Sequence, residues 1–155
     1  MKNFKIIFLF MALAAFGFAA CSDDETDTEK PVIQLNEPAD HAHFHPGDEI
    51  HFDADFSDNV GLKQFKIDIH WGEGHDHKSG QHDDHGHKWS YEYIGELQGR
   101  NQHIHMHIDI PEDAKHGEYH FLVYCTDEAG NESFIAIEIE IEDDHHDHND
   151  NGHDH

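Results

Sequence analysis

In four stretches of this chain, apolar residues fall on every second position. Ile50, Phe52, Ala54 and Phe56 alternate with His51, Asp53 and Asp55, and Phe65, Ile67, Ile69 and Trp71 alternate with Lys66, Asp68 and His70. Ile104, Met106, Ile108 and Ile110 alternate with His103, His105, His107 and Asp109. Ile135, Ile137, Ile139 and Ile141 alternate with Ala136, Glu138, Glu140 and Glu142. A period of two puts the apolar set on one face of a β-strand and the polar set on the other, whereas a helix would scatter both around its circumference.

Three more segments complete the pattern. Val32 to Asn36 is a short strand after Pro31, Trp89 to Ile94 is rich in aromatic residues, and Tyr119 to Cys125 is almost continuously apolar, as a central strand would be. Turn-forming residues separate them: Pro46-Gly47, Asp58-Asn59-Val60-Gly61, Gly99 and Gly130-Asn131. No long stretch has a helical period. About seven short strands between residues 31 and 142 predict an all-β domain, a two-sheet antiparallel sandwich of immunoglobulin-like size.

The two ends read differently. Lys2 and Lys5 precede an apolar run of 13 residues, Ile6 to Phe18. That run is too short to span a bilayer but fits the apolar core of a secretory signal. It closes on Phe18-Ala19-Ala20-Cys21, which resembles a bacterial lipobox and implies cleavage before Cys21 and lipidation of that cysteine. Ser22-Asp23-Asp24-Glu25 resembles the acidic export signal of Bacteroidota surface lipoproteins. The expected organisation is therefore a signal peptide (1–20), an acidic tether (21–30), the sandwich (31–142) and a disordered Asp/His tail (143–155). With Cys21 lipidated, Cys125 is the one thiol left, so the core must hold without a disulfide.

Within the domain, Asp58-Asn59-Val60-Gly61-Leu62, Gly117-Glu118-Tyr119 and Thr126-Asp127-Glu128-Ala129-Gly130-Asn131 resemble bacterial Ig-like repeats of extracellular proteins. Tyr119 is similar to the tyrosine-corner position, although Phe121 stands where the usual cysteine would be. With the lipobox, the chain resembles small Bacteroidota surface lipoproteins carrying an Ig-like domain of unknown function. The resemblance implies a lipid anchor in the outer membrane, on the cell surface of a Gram-negative bacterium. It implies no activity.

Charge and histidine carry the functional reading. The 155 residues hold 9 Lys+Arg against 34 Asp+Glu, a formal charge of −25. Phosphates would be repelled, so nucleic acid is excluded as a partner, while cations are favoured. Loss of residues 1–20 removes two lysines and no acid, which takes the charge to −27. Sixteen of the 20 histidines form four groups. These are His41, His43 and His45; His75, His77, His82, His85 and His87; His103, His105 and His107; and His145, His146, His148, His153 and His155.

The second group lies in a 17-residue, glycine-rich connection from Gly72 to Lys88, long enough to wrap an ion. The third lies on one face of a strand. In an Ig-like sandwich that strand pairs with the one carrying His51 and Asp53, so His51, Asp53, His103, His105 and His107 should share an exposed face. If residues 41–45 form the next strand, His41, His43 and His45 extend it. Imidazole and carboxylate ligands without thiolate point to Zn²⁺ first, with Ni²⁺ and Cu²⁺ also accepted. The expected role is a metal scavenger, buffer or donor to an outer-membrane metal transporter. The alternative is an adhesion or glycan-binding module, with Trp71, Trp89, Tyr91 and Tyr93 as an aromatic platform and the histidines incidental. Calcium at the Asp58-Asn59 and Asp127–Glu132 turns ranks third. No motif for catalysis is present, so an enzyme is not expected. His70 and His120 are expected across from one another on neighbouring strands, in a structural role rather than as a site, and Cys125 is expected in the core.

Overall fold

The computed structural model describes residues 26–72 and 86–142 of the chain. Among them are eight strands and no helix: β1 (Val32–Glu37), β2 (Ala42–Phe44), β3 (Glu49–Ser57), β4 (Leu62–Trp71), β5 (Ser90–Glu96), β6 (Asn101–Asp109), β7 (Gly117–Asp127) and β8 (Glu132–Ile141). They form a two-sheet β-sandwich, a three-stranded sheet ordered β1-β3-β6 against a five-stranded sheet ordered β2-β8-β7-β4-β5.

The alternation predicted from sequence decides which side chains meet between the sheets. Ile50, Phe52, Ala54 and Phe56 of β3 are fully buried, as are Phe121, Val123 and Cys125 of β7 and Ile67 and Ile69 of β4. Phe52 is the hinge of the packing. Its ring lies 6.1 Å from Phe65 and 6.2 Å from Phe121, both on the opposite sheet. Burial of a large apolar side chain contributes roughly 1.5–3 kcal/mol, so this layer stabilises the domain without help from a disulfide. Cys125 is buried in it, and desolvation, then the charges of Asp58 and Asp127, push its thiol up to about 12. A thiol buried and protonated in this way is a poor nucleophile and is withheld from metal in solvent.

Two features depart from the sequence reading. The first is that one pairing is parallel: β2 runs alongside β8 with Ala42 opposite Ile139 and Phe44 opposite Ile141. The second is the eighth strand itself. The segment expected to lie beside β3 crosses instead to the other sheet, and β1 takes the place at β3. The reason is apolar content. Ile33 and Leu35 of β1 pack on the core from the smaller sheet, whereas Ala42 and Phe44 pack on it beside β8. Keeping its direction while changing sheets makes the chain antiparallel to β3 and then parallel to β8.

Tyr119 ties the end of β7 to the loop before it. Its hydroxyl donates to the Lys115 carbonyl at 2.8 Å and accepts from the Trp89 amide at 3.4 Å. Trp71 packs edge-on against the same ring at 5.3 Å. Tyr119→Phe keeps the ring and removes both hydrogen bonds in a buried setting, and should cost about 1–2 kcal/mol. Urea denaturation checks this; a change within about 0.3 kcal/mol would show that the hydroxyl bonds are not contributing.

Candidate metal centre

The antiparallel register of β3 and β6 sets His51 opposite His107, Asp53 opposite His105 and Asp55 opposite His103. All these side chains point away from the core because their neighbours Phe52, Ala54 and Phe56 point into it. The sequence-predicted set His51, Asp53, His103, His105 and His107 is thereby brought onto one solvent face. The His51 and His107 rings are 4.6 Å apart and those of His105 and His107 are 5.0 Å apart.

Glu49 joins this face and was missed in the sequence reading. It stands two residues before His51 on the same strand, so the period that placed His51 also places Glu49 outward. Its carboxylate accepts a short hydrogen bond from His107 Nδ1 and lies 3.7 Å from His51 Nε2. One ligand atom each from Glu49, His51 and His107 fall within 4.8 Å of one another. Around a tetrahedral zinc with bonds of about 2.0–2.1 Å, ligand atoms sit about 3.3 Å apart, so an ion would draw these groups together and take the place of the hydrogen bond between His107 and Glu49.

Carboxylates also orient the other imidazoles. His103 Nδ1 bonds Asp55 Oδ1 at 3.1 Å, and its Nε2 is 3.4 Å from Asp53 Oδ2. An ionised carboxylate only accepts, so each Nδ1 in such a pair must donate, which leaves Nε2 as the ligand atom. Asn36 of β1 completes the row by donating to Asp53 at 2.8 Å and Asp55 at 3.0 Å. The hydrogen bond from Asn36, then that from His103, holds the Asp55 carboxyl below the ordinary carboxylate range.

The other predicted ligands are dispersed. His41, His43 and His45 do not extend this face, because their segment belongs to the other sheet or its approach. His43 Nδ1 bonds Glu142 at 2.7 Å and faces Glu140 at 3.7 Å. His41 lies 3.7 Å from Glu138, and His45 3.5 Å from Asp48. His87 bridges to Ala114 and bonds Asp113 at 2.9 Å. His75, His77, His82 and His85 lie outside the described residues, as do Cys21 and the C-terminal histidines. The four aromatics of the alternative reading do not form one flat surface. Trp89 is buried, Trp71 packs on Tyr119, Tyr91 is partly buried, and Tyr93 is exposed against Phe65.

A third cluster sits at one end of the sandwich. Asp27, Asp58 and Asp127 each bring an oxygen within 4.8 Å of the others. Asp58 Oδ2 accepts from the Val60 and Gly61 amides at 2.8 and 2.7 Å, as a turn-forming aspartate does. Its other oxygen, Oδ1, is buried without a partner, and so is Asp27 Oδ2. Asp27 lies in the segment read as tether, which is why spacing did not reveal it. Its backbone carbonyl accepts from Asn131 Nδ2 at 3.1 Å, and its Oδ1 accepts from Asn59 Nδ2 at 3.1 Å. Asp127 is fully buried and receives the Asn131 amide and carboxamide, both at 2.7 Å.

A family model described as Domain of unknown function (DUF4625) matches residues 19–142. No curated protein matches the chain. Among solved structures, it is similar to wild-type OgpA from Akkermansia muciniphila at 14% identity and a TM-score of 0.48, over 74% of this chain and 30% of that one. Spo0M, a sporulation control protein from Bacillus subtilis, matches at 10% identity and a TM-score of 0.43, over 74% of this chain and 49% of that one. The chain thus spans less than half the length of either, and nothing about activity follows from these likenesses.

Burial pushes the Asp127 carboxyl up, but the hydrogen bonds from Asn131 and from the Gly130 and Ala129 amides outweigh it and leave it lowered. A carboxyl with a lower pKa folded than unfolded stabilises the fold above about pH 4 and loses that contribution as pH falls through the folded value. Asp127→Asn should therefore flatten the loss of stability between about pH 4 and pH 2. Urea midpoints across that range check it; an acid limb as steep as in the parent would contradict the assignment.

Proposed function

Because the chain belongs to the DUF4625 family, a domain of unknown function, its role must be argued from its own residues, and we propose that it binds divalent transition metal, zinc first. The observation that carries this reading is the cross-strand set Glu49, His51 and His107, extended along the same face by Asp53, His105 and His103. Any hydrophilic residue would keep a sheet face soluble. This face instead repeats histidine at 103, 105 and 107 and sets a carboxylate against each of the three rings. Nickel and copper(II) suit the same nitrogen and oxygen donors. Cys125, buried in the core, does not reach this face.

The wider role rests on the sequence. A lipid at Cys21 would hold the domain at an outer-membrane surface, and the charge of −27 would raise the local concentration of cations. Exposed ligands on a rigid sheet exchange ions with solvent, which suits a scavenger, a buffer or a donor to a metal transporter. The remaining histidine groups would add capacity around this fixed site.

A second reading has its own observation. The buried, unpartnered oxygens of Asp27 and Asp58 beside the buried Asp127 form an all-oxygen set of the kind hard cations take, so calcium is proposed at the end of the sandwich. A divalent ion there would offset three converging carboxylates and clamp the segment before β1 to the β7–β8 turn.

Zinc titration calorimetry of the chain carrying Cys21→Ser should show sites that His51→Ala/His107→Ala weakens by about 100-fold or more. Because protons compete for imidazole near pH 6.5, zinc affinity should fall as pH drops from about 7.5 to about 5.5. Titrations identical in parent and double variant would remove this site, and an affinity flat across that range would exclude histidine ligation. For the oxygen site, excess calcium should raise the melting temperature by about 5 °C or more in the parent and not in Asp58→Asn. An unchanged parent melting temperature would dismiss calcium.

A further inference from the structure

The outer face of the larger sheet carries a further histidine and carboxylate cluster, and it differs from the one on β3 and β6 in being half-buried. His120 of β7 stands between His70 of β4 and Glu138 of β8, each directly opposite it across a strand pair. Glu118, two residues earlier on β7, shares the same face. One ligand atom each from Glu118, His120 and Glu138 fall within 4.8 Å of one another. Two other groups that contain histidine, Glu49/His51/His107 and His43/Glu140/Glu142, are made wholly of exposed residues, whereas all three members here are half-buried. Partial withdrawal from water strengthens a metal–ligand pair relative to the same pair on an open face.

The surroundings fit an ion. Leu122 and Ala136 give the cluster apolar walls, and together with His41, His70 and Glu138 they line a hollow of about 380 Å³. The small side chain of Ala136 leaves this space open where the flanking row has Phe134. Gly72 adds room on the other side: a Cβ there would sit 3.3 Å from Glu118 Oε1 and 3.4 Å from His120 Nε2, at the atoms that would bind. His70 is already oriented. Its Nδ1 donates to Asp68 Oδ1 at 2.9 Å, and its ring meets that of His120 edge-on at 5.4 Å. With Nδ1 engaged by Asp68, Nε2 of His70 is left to ligate a metal, the arrangement in which an outer carboxylate fixes a ligating imidazole.

We propose that His120, Glu118, Glu138 and His70 form a second transition-metal site, of two imidazoles and two carboxylates, on the opposite sheet from the first. His41, which lies 3.7 Å from Glu138, closes the rim. The site shares with the preceding section the reading that this chain handles transition metal, and it uses none of the same ligands. Its four donors match the coordination number of zinc, which is the ion to test.

The test is zinc titration of the full chain followed through the imidazole nitrogen resonances by NMR, in the parent, in His51→Ala/His107→Ala and in Glu118→Gln/Glu138→Gln. The His70 and His120 resonances should move on zinc addition in the parent and equally in the first variant, and should need about tenfold more zinc or greater in the second. Thermal unfolding of the second variant separates lost ligation from lost fold. If His51 and His107 respond while His70 and His120 stay unchanged at saturating zinc, this proposal is overturned and the first site stands. If His70 and His120 respond and His51 and His107 do not, this site stands and the first falls. If no histidine of either face responds, both readings fail.

Discussion

The register between β3 and β6 governs which chemistry reaches solvent on the smaller sheet. Phe52 packs against Phe65 and Phe121 across the sandwich, and that contact locks the phase of the strand. A slip of one residue would bury His51, Asp53 and Asp55 and expose Ile50, Phe52 and Phe56, at a cost of many kcal/mol, so the core itself enforces the placement of the ligands. The imidazoles need no scaffold of their own. They ride on a strand pair held by aromatic packing behind it, which is the kind of support a preorganised site requires.

The same device operates on both outer surfaces. On the larger sheet, Phe121, Ile69 and Ile137 are directed inward, and His120, His70 and Glu138 are set outward by the same alternation. Each face carries imidazoles paired with carboxylates, as the excess of acid over base favours. At His70, His103 and His107 the carboxylate is met through Nδ1, which leaves the Nε2 lone pair for an ion. A chain this acidic repels itself, and bound divalent cations would relieve that repulsion as they are collected. At the end of the sandwich the balance differs. Asp27, Asp58 and Asp127 converge there without imidazole, which sets the oxygen donors proposed for calcium apart from the nitrogen-rich faces.

Much of this was legible in the sequence because a period of two speaks directly about faces. The strands β3, β4, β6 and β8, the central apolar β7, the outward set His51, Asp53, His103, His105 and His107, and the pairing of His70 with His120 all follow from alternation and strand order. Edge position is not encoded that way. Residues 41–45 carry alternating histidines just as β6 does, but only three of them form a strand, and which sheet they join is decided by where Phe44 finds apolar contact. Asp27 was hidden for a different reason: its partners Asp58 and Asp127 are brought near by the fold, and nothing local marks an aspartate in an acidic run as one that docks. Glu49 and Glu138 were readable in principle, since each shares the outward phase of a histidine, but a glutamate on a polar face has no distinguishing spacing until its neighbours across the strands are known.

The most direct test of the account is a crystal structure of the chain with zinc, using anomalous scattering to locate the metal. The account predicts an anomalous peak on the smaller sheet with His51 and His107 nitrogens at about 2.0–2.1 Å and a Glu49 oxygen at about 2.0–2.2 Å. Zinc-loaded crystals with the β3/β6 face free of lattice contacts and no anomalous density between His51 and His107 would contradict it.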